Sequence, residues 1–62
     1  MKKYNVQLIA DDKGYLNSFM GSTEAKHLFL SEKDDSGIFV TEFTEEEINK
    51  INPHYMKFAK EV

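Results

Sequence analysis

The chain has no cysteine, no arginine and no tryptophan, and only one proline and three glycines among its 62 residues. Without cysteine no disulfide braces the fold and no thiolate holds a metal, although a chain this short buries only about 60% of the surface its unfolded form exposes. Below roughly 70–80 residues a core supplies about 3–5 kcal/mol, so small domains are commonly stapled, and self-association is the common staple left. Without arginine the chain lacks the planar fork that reads guanine and phosphate bidentately. A net charge of -3, from eight lysines against eleven Asp and Glu, also argues against a direct nucleic-acid partner, whose phosphates a binder must neutralise. No stretch approaches the roughly 20 apolar residues of a membrane span. After Lys2 and Lys3 the apolar run is only Leu8-Ile9-Ala10 before Asp11 and Asp12, too short for an export signal. With no lipidation motif at either end, the expected location is cytoplasmic, with no membrane partner.

What is present is one domain's worth of residues, 1–62, at 40% hydrophobic and 31% charged, in the range of soluble globular chains. The charge is uneven. Glu32, Asp34, Asp35, Glu42, Glu45, Glu46 and Glu47 stand against Lys33 alone, so residues 32–47 carry -6 and, with the whole chain at -3, the remainder carries +3. Such a segment is ordinarily a solvated surface that keeps a small domain apart from its neighbours. It also has the composition of an acidic patch that imitates nucleic-acid charge toward a host protein, the alternative functional reading.

Alternation marks the strands. Tyr4, Val6 and Leu8 against Asn5 and Gln7 predict a half-buried strand over 3–10. Asp11-Asp12-Lys13-Gly14 reads as a hairpin turn with Gly14 at positive φ, leading to a short or bulged strand over 15–20. Gly21-Ser22-Thr23 breaks that strand, and Glu24-Ala25-Lys26 is too short to hold a helix without packing, so it reads as loop. Leu28-Phe29-Leu30 inside 27–31 suits a strand covered on both faces. Ile38-Phe39-Val40-Thr41 with Phe43 is the strongest strand signal, over 38–43, and the two are expected to pair as a hairpin. Thr44-Glu45-Glu46-Glu47 matches a capping box opening a helix over 45–51, with Ile48 and Ile51 inward and Phe43 as a staple toward Ile48. Asn52-Pro53 ends it. Residues 55–62 alternate as a last strand, while Met56, Lys57, Ala59, Lys60 and Glu61 are good helix formers and keep a C-terminal helix as the competing reading. The fold class is α+β: a small, mostly antiparallel sheet of four to five strands with one short α-helix packed on it.

No catalytic, cofactor-binding or metal-ligating constellation stands out. His27 and His54 are far apart in sequence and have no ligand-spaced acidic motif. Asp11-Asp12-Lys13-Gly14 puts a lysine where a calcium loop needs an oxygen, and Gly21-Ser22-Thr23 lacks the lysine of a phosphate loop. Ligand clefts of about 300–1,000 Å³ also leave little room in so small a domain. Five Phe and three Tyr are more suggestive: half or more fill the core, and any two or three of Tyr4, Tyr15, Phe19, Phe39 and Tyr55 on the outer face of the sheet would form an interaction surface.

The run Thr41-Glu42-Phe43-Thr44-Glu45-Glu46-Glu47-Ile48, followed by Asn52-Pro53-His54-Tyr55-Met56-Lys57-Phe58-Ala59-Lys60-Glu61-Val62, resembles the C-terminal module of small uncharacterised proteins encoded by phages and prophages of low-GC Gram-positive bacteria. Gly14-Tyr15-Leu16-Asn17 and Leu28-Phe29-Leu30-Ser31 are similar to earlier landmarks of the same family. Asn52 and His54 depart from its pattern, where Asp and Arg are more frequent; both lie in the turn after the helix. The resemblance implies origin and fold kinship, and no catalytic residue. Longer relatives carry the module at the end of a bigger chain, which implies that this chain is the module alone. The expected function is a non-catalytic protein-interaction module with a protein partner, a second copy (a homodimer) included.

Overall fold

The computed structural model of the chain describes residues 1–34 and 36–62. Asp35, which belongs to the acidic segment, lies outside the described residues. Thr44 opens α1 (Glu45–Ile51) as the sequence predicts: its Oγ1 accepts from Glu47 N at 3.2 Å, and Glu47 Oε1 accepts from Thr44 N at 2.8 Å. These bonds close two orphan donors, and Glu45 to Glu47 sit at the positive end of the helix dipole. Phe43 and Ile48 flank the cap and are both fully buried. With Val6 and Leu16 they make the core, each contributing about 1.5–3 kcal/mol by leaving water.

Among the described residues five strands surround that core: β1 (Tyr4–Val6), β2 (Tyr15–Phe19), β3 (Leu28–Ser31), β4 (Phe39–Val40) and β5 (Ala59–Glu61). They form a three-stranded antiparallel sheet, β3-β2-β4, and a two-stranded antiparallel sheet, β1-β5, giving an α+β fold. Isolated bridges Tyr4–Phe43 and Gln7–Tyr15 splice the two sheets.

The expected hairpin of 27–31 with 38–43 does not form. Both segments pair with β2, which runs between them. Glu32 to Ile38 cross from one flank of β2 to the other, a step of two strand spacings, about 10 Å, that seven residues at roughly 3.3 Å each span with ease. Buried Asn17 and Ser18, both 0% exposed, conceal the central position of β2 from a hydropathy reading. The expectation that Leu28-Phe29-Leu30 is covered on both faces also fails: β3 is an edge strand, and Phe29 and Leu30 remain 40% and 39% exposed.

The other strands are shorter than their patterns. β4 leaves β2 after Val40 because the same extended run turns to β1, where Phe43 and Tyr4 exchange backbone bonds of 2.9 and 2.8 Å. Asn5 Nδ2 donates to Thr41 O at 2.9 Å along the way. β1 ends at Val6 as the chain folds over Gly14, whose carbonyl accepts from Leu8 N at 2.8 Å. Gly14 is not at positive φ. Glycine is required there for closeness, since a Cβ would stand 2.0 Å from Ile9 O. Positive φ falls instead on Met20 (55°) and Gly21 (79°), between β2 and the 3-10 turn Ala25–His27 that occupies part of the expected loop.

Both readings of the tail hold in part. Pro53–Phe58 coils as a 3-10 helix, begun by Asn52 Oδ1 accepting from His54 N at 3.0 Å with proline at the first position. Ala59–Glu61 then straighten to pair with β1. Tyr55, Met56 and Ala59 pack on the core, a helical rather than alternating set, while Phe58 and Val62 are exposed.

Candidate interaction surface

Alternation along β2 sorts the three-stranded sheet into two faces. Leu16 and Ser18, with Leu30, Leu28 and Val40 opposite them, face the core side. Tyr15, Asn17 and Phe19, with Ser31, Phe29 and Phe39 opposite, face outward. Three phenylalanines from three strands thereby meet: Phe19 and Phe39 centroids are 6.2 Å apart, and Phe29 lies edge-on to Phe39 at 5.3 Å. Such edge and tilted contacts suit the ring quadrupoles and hold the rings in place. The His27 ring extends the row, 5.9 Å from Phe19.

Phe19 and Phe29 are 42% and 40% exposed. At the end of the ladder Met20 and Ile38, one residue out of phase with Phe19 and Phe39, are 72% and 56% exposed and joined by a 2.7 Å bond from Met20 N to Ile38 O. Met20 adopts the left-handed conformation that costs an ordinary residue about 1–2 kcal/mol. Its side chain reaches into water, so no burial within the chain offsets that cost.

Of the five aromatics singled out in the sequence, Phe19 and Phe39 stand in this cluster. Tyr15 shares the face, half-buried beneath the Lys33 ammonium 5.0 Å from its ring centroid. Tyr4 and Tyr55 do not belong to it: both pack against the core. Phe29 and His27 were missed. The run Leu28-Phe29-Leu30 looks like interior, and only the place of β3 at an edge exposes Phe29.

The connector Glu32 to Ile38 crosses this same outer face. Asn17 Nδ2 donates to Glu32 O and to Tyr15 O, each at 3.1 Å, and Thr41 Oγ1 donates to Asp34 O at 3.3 Å. Asn17 is therefore a buried tie for the crossing chain. The acidic residues divide between two elements, Glu32 and Asp34 on the connector and Glu42 and Glu45 to Glu47 around the start of α1. The Glu47 carboxylate is spent in the cap, and Lys3 lines the same hollow of about 260 Å³ as Asp34 and Glu42.

Ser22, Glu24 and His27 form the corner beside the rings. Ser22 Oγ lies 2.8 Å from His27 Nδ1 and accepts from Glu24 N at 3.1 Å, while Ser18 Oγ donates to Ser22 O. Glu24 Oε2 approaches the same ring nitrogen at 3.6 Å. A nucleophile relay needs the orienting acid on the opposite nitrogen from the serine. This arrangement instead closes the 3-10 turn and fixes the imidazole against Phe19. Among the described residues no three metal-ligating side chains stand together, and no helix is long and apolar enough to cross a membrane.

Comparison of the chain with protein-family models, with curated proteins and with solved structures finds no match.

Proposed function

We propose that the chain is a non-catalytic, cytoplasmic protein-interaction module of phage or prophage type, working through the outer aromatic face of the β3-β2-β4 sheet. The observation that carries this reading is the exposure of Phe19 and Phe29 on one face of the sheet, with the rings of Phe19, Phe29 and Phe39 already locked by mutual contact. Rigid aromatic side chains give large contact area at low entropic cost, which is what anchors a protein interface. The origin rests on the resemblance of Thr41 to Ile48 and Asn52 to Val62 to the phage modules.

A photo-crosslinking amino acid placed at Phe19, and separately at Lys57 outside the sheet, tests the assignment with purified protein and with lysate of a low-GC Gram-positive bacterium. A discrete protein adduct from position 19, absent from position 57 and lost on combining Phe29→Ser with Phe39→Ser, is expected. Equal adducts from both positions, or none from position 19, refute the assignment.

A further inference from the structure

We propose that the hollow between the connector and β4 seats an arginine side chain of a different protein, with its guanidinium at the Asp34 and Glu42 carboxylates and its stem against Phe39 and Val40. The proposal rests on the interaction-module reading and names the chemistry of the partner that docks beside the aromatic face.

The fold brings the parts of this seat together from remote positions. Phe39 and Val40 are successive residues of β4 and belong to opposite faces of the sheet, so the hollow that both line runs along the edge of β4 and not over either face. Asp34 and Gly37 reach it from the connector, Glu42 from the run that turns to β1, and Lys3 from the chain ahead of β1. The buried Thr41 donates through Oγ1 to Asp34 O at 3.3 Å, and Asp34 Oδ1 accepts from Ser36 N at 2.8 Å, which ties the connector down while Oδ2 takes part in neither bond. Glu42 stands between Thr41 and Phe43, both buried, so its backbone is fixed under an exposed side chain. The Phe39 ring is held by Phe19 and Phe29.

Size, charge and lining select the guest. The volume, about 260 Å³, falls below the roughly 300–1,000 Å³ of clefts that take drug-sized ligands, so the hollow suits a single side chain. Two carboxylates face one lysine there, which leaves the seat one positive charge short. Among the described residues neither Asp34 nor Glu42 is ion-paired, whereas Glu24 and Glu61 are. An anionic guest is repelled, and a wholly apolar one strips water from the carboxylates without replacing it. A long cationic side chain satisfies both parts, its stem on Phe39 and Val40 and its head at the rim. Arginine suits the seat better than lysine, because its planar head presents donors to two carboxylates, stacks on an aromatic ring and is more weakly hydrated. The same sheet already carries a cation over a ring, Lys33 above Tyr15. Since this chain contains no arginine, the guest belongs to another protein and not to a second copy.

The test is a chemical-shift titration of the isotope-labelled chain, at constant ionic strength, with N-acetyl-arginine N-methylamide, its neutral citrulline counterpart and its lysine counterpart. The arginine probe is expected to give saturable shifts at Gly37, Val40, Thr41 and Glu42, the lysine probe weaker ones and the citrulline probe none. Asp34→Asn, which keeps an oxygen for Ser36 N, and Glu42→Gln are each expected to weaken the arginine probe roughly two- to fivefold, and Lys3→Gln to tighten it by a similar factor, with the circular dichroism of the wild type retained. Glu45→Gln, outside the hollow, is expected to change nothing. Equal shifts from citrulline, shifts spread evenly over Glu45 and Glu46, or a Lys3→Gln chain that binds no tighter overturn the proposal. These probes do not depend on the partner, so the seat can fail while the crosslinking result at position 19 stands. Where that adduct forms, combining Asp34→Asn with Glu42→Gln is expected to lower its yield, and an unchanged yield overturns the seat as part of the interface.

Discussion

Replacing Gly14 by alanine probes how the first strand is turned back on the sheet. The new Cβ would lie 2.0 Å from Ile9 O and 2.7 Å from both Ile9 C and Ile9 Cβ. Two of these three atoms are backbone, so relief comes from moving the 9–14 loop by about an ångström, not from a rotamer change. Gly14 O accepts from Leu8 N at 2.8 Å and from Ile9 N at 3.4 Å, and Gly14 N donates to Asp11 O at 3.1 Å. Losing one or two of these bonds costs about 1 kcal/mol each, and overpacking adds about 1–3 kcal/mol. The sum, about 2–5 kcal/mol, rivals the roughly 3–5 kcal/mol that a core of this size supplies. Gly14→Ala is therefore expected to be substantially unfolded in water at 25 °C, measured by urea titration of far-ultraviolet circular dichroism. A midpoint matching that of the wild type, with the amide spectrum of residues 8–15 unchanged, would falsify the close-approach account and return Gly14 to the role of an ordinary turn residue.

Two further perturbations separate stability from binding. Thr44→Ala removes the cap of α1 and is expected to lower stability by about 1 kcal/mol in the same titration; Glu47→Ala should add less in the Thr44→Ala background than alone, because the two side chains satisfy one another. Met20→Gly relieves the left-handed strain, so stability is expected to hold or rise by up to about 1 kcal/mol, while the adduct from a crosslinker at position 19 weakens; a loss of stability with the adduct unchanged would mean that Met20 serves the fold and not the interface.

Local signals were the legible part of this protein. The capping box, the two inward isoleucines and the stop at Asn52-Pro53 are written within a few residues of one another, and α1 has the expected bounds because nothing distant competes with them. The aromatic surface was half legible. Phe19 and Phe39 follow from alternation along β2 and β4, whereas Phe29 sits in a run whose hydrophobicity resembles that of an interior strand. The tail divided between two readings because Asn52 and Pro53 favour a coil at its beginning, and only the free edge of β1 draws Ala59 to Glu61 straight.

Sequence alone determined the α+β class, the helix and its ends, where the strands fall though not their lengths, and the lack of any covalent brace, since each of these rests on neighbours along the chain. Tertiary structure decided strand order. Whether β3 meets β4 or lies across β2 from it depends on Asn17 and Ser18 finding buried partners and on a connector long enough to cross, conditions set by residues remote in sequence. That order makes β3 an edge, puts Phe29 in water beside Phe19 and Phe39, and turns a run that reads as core into part of an exposed aromatic surface.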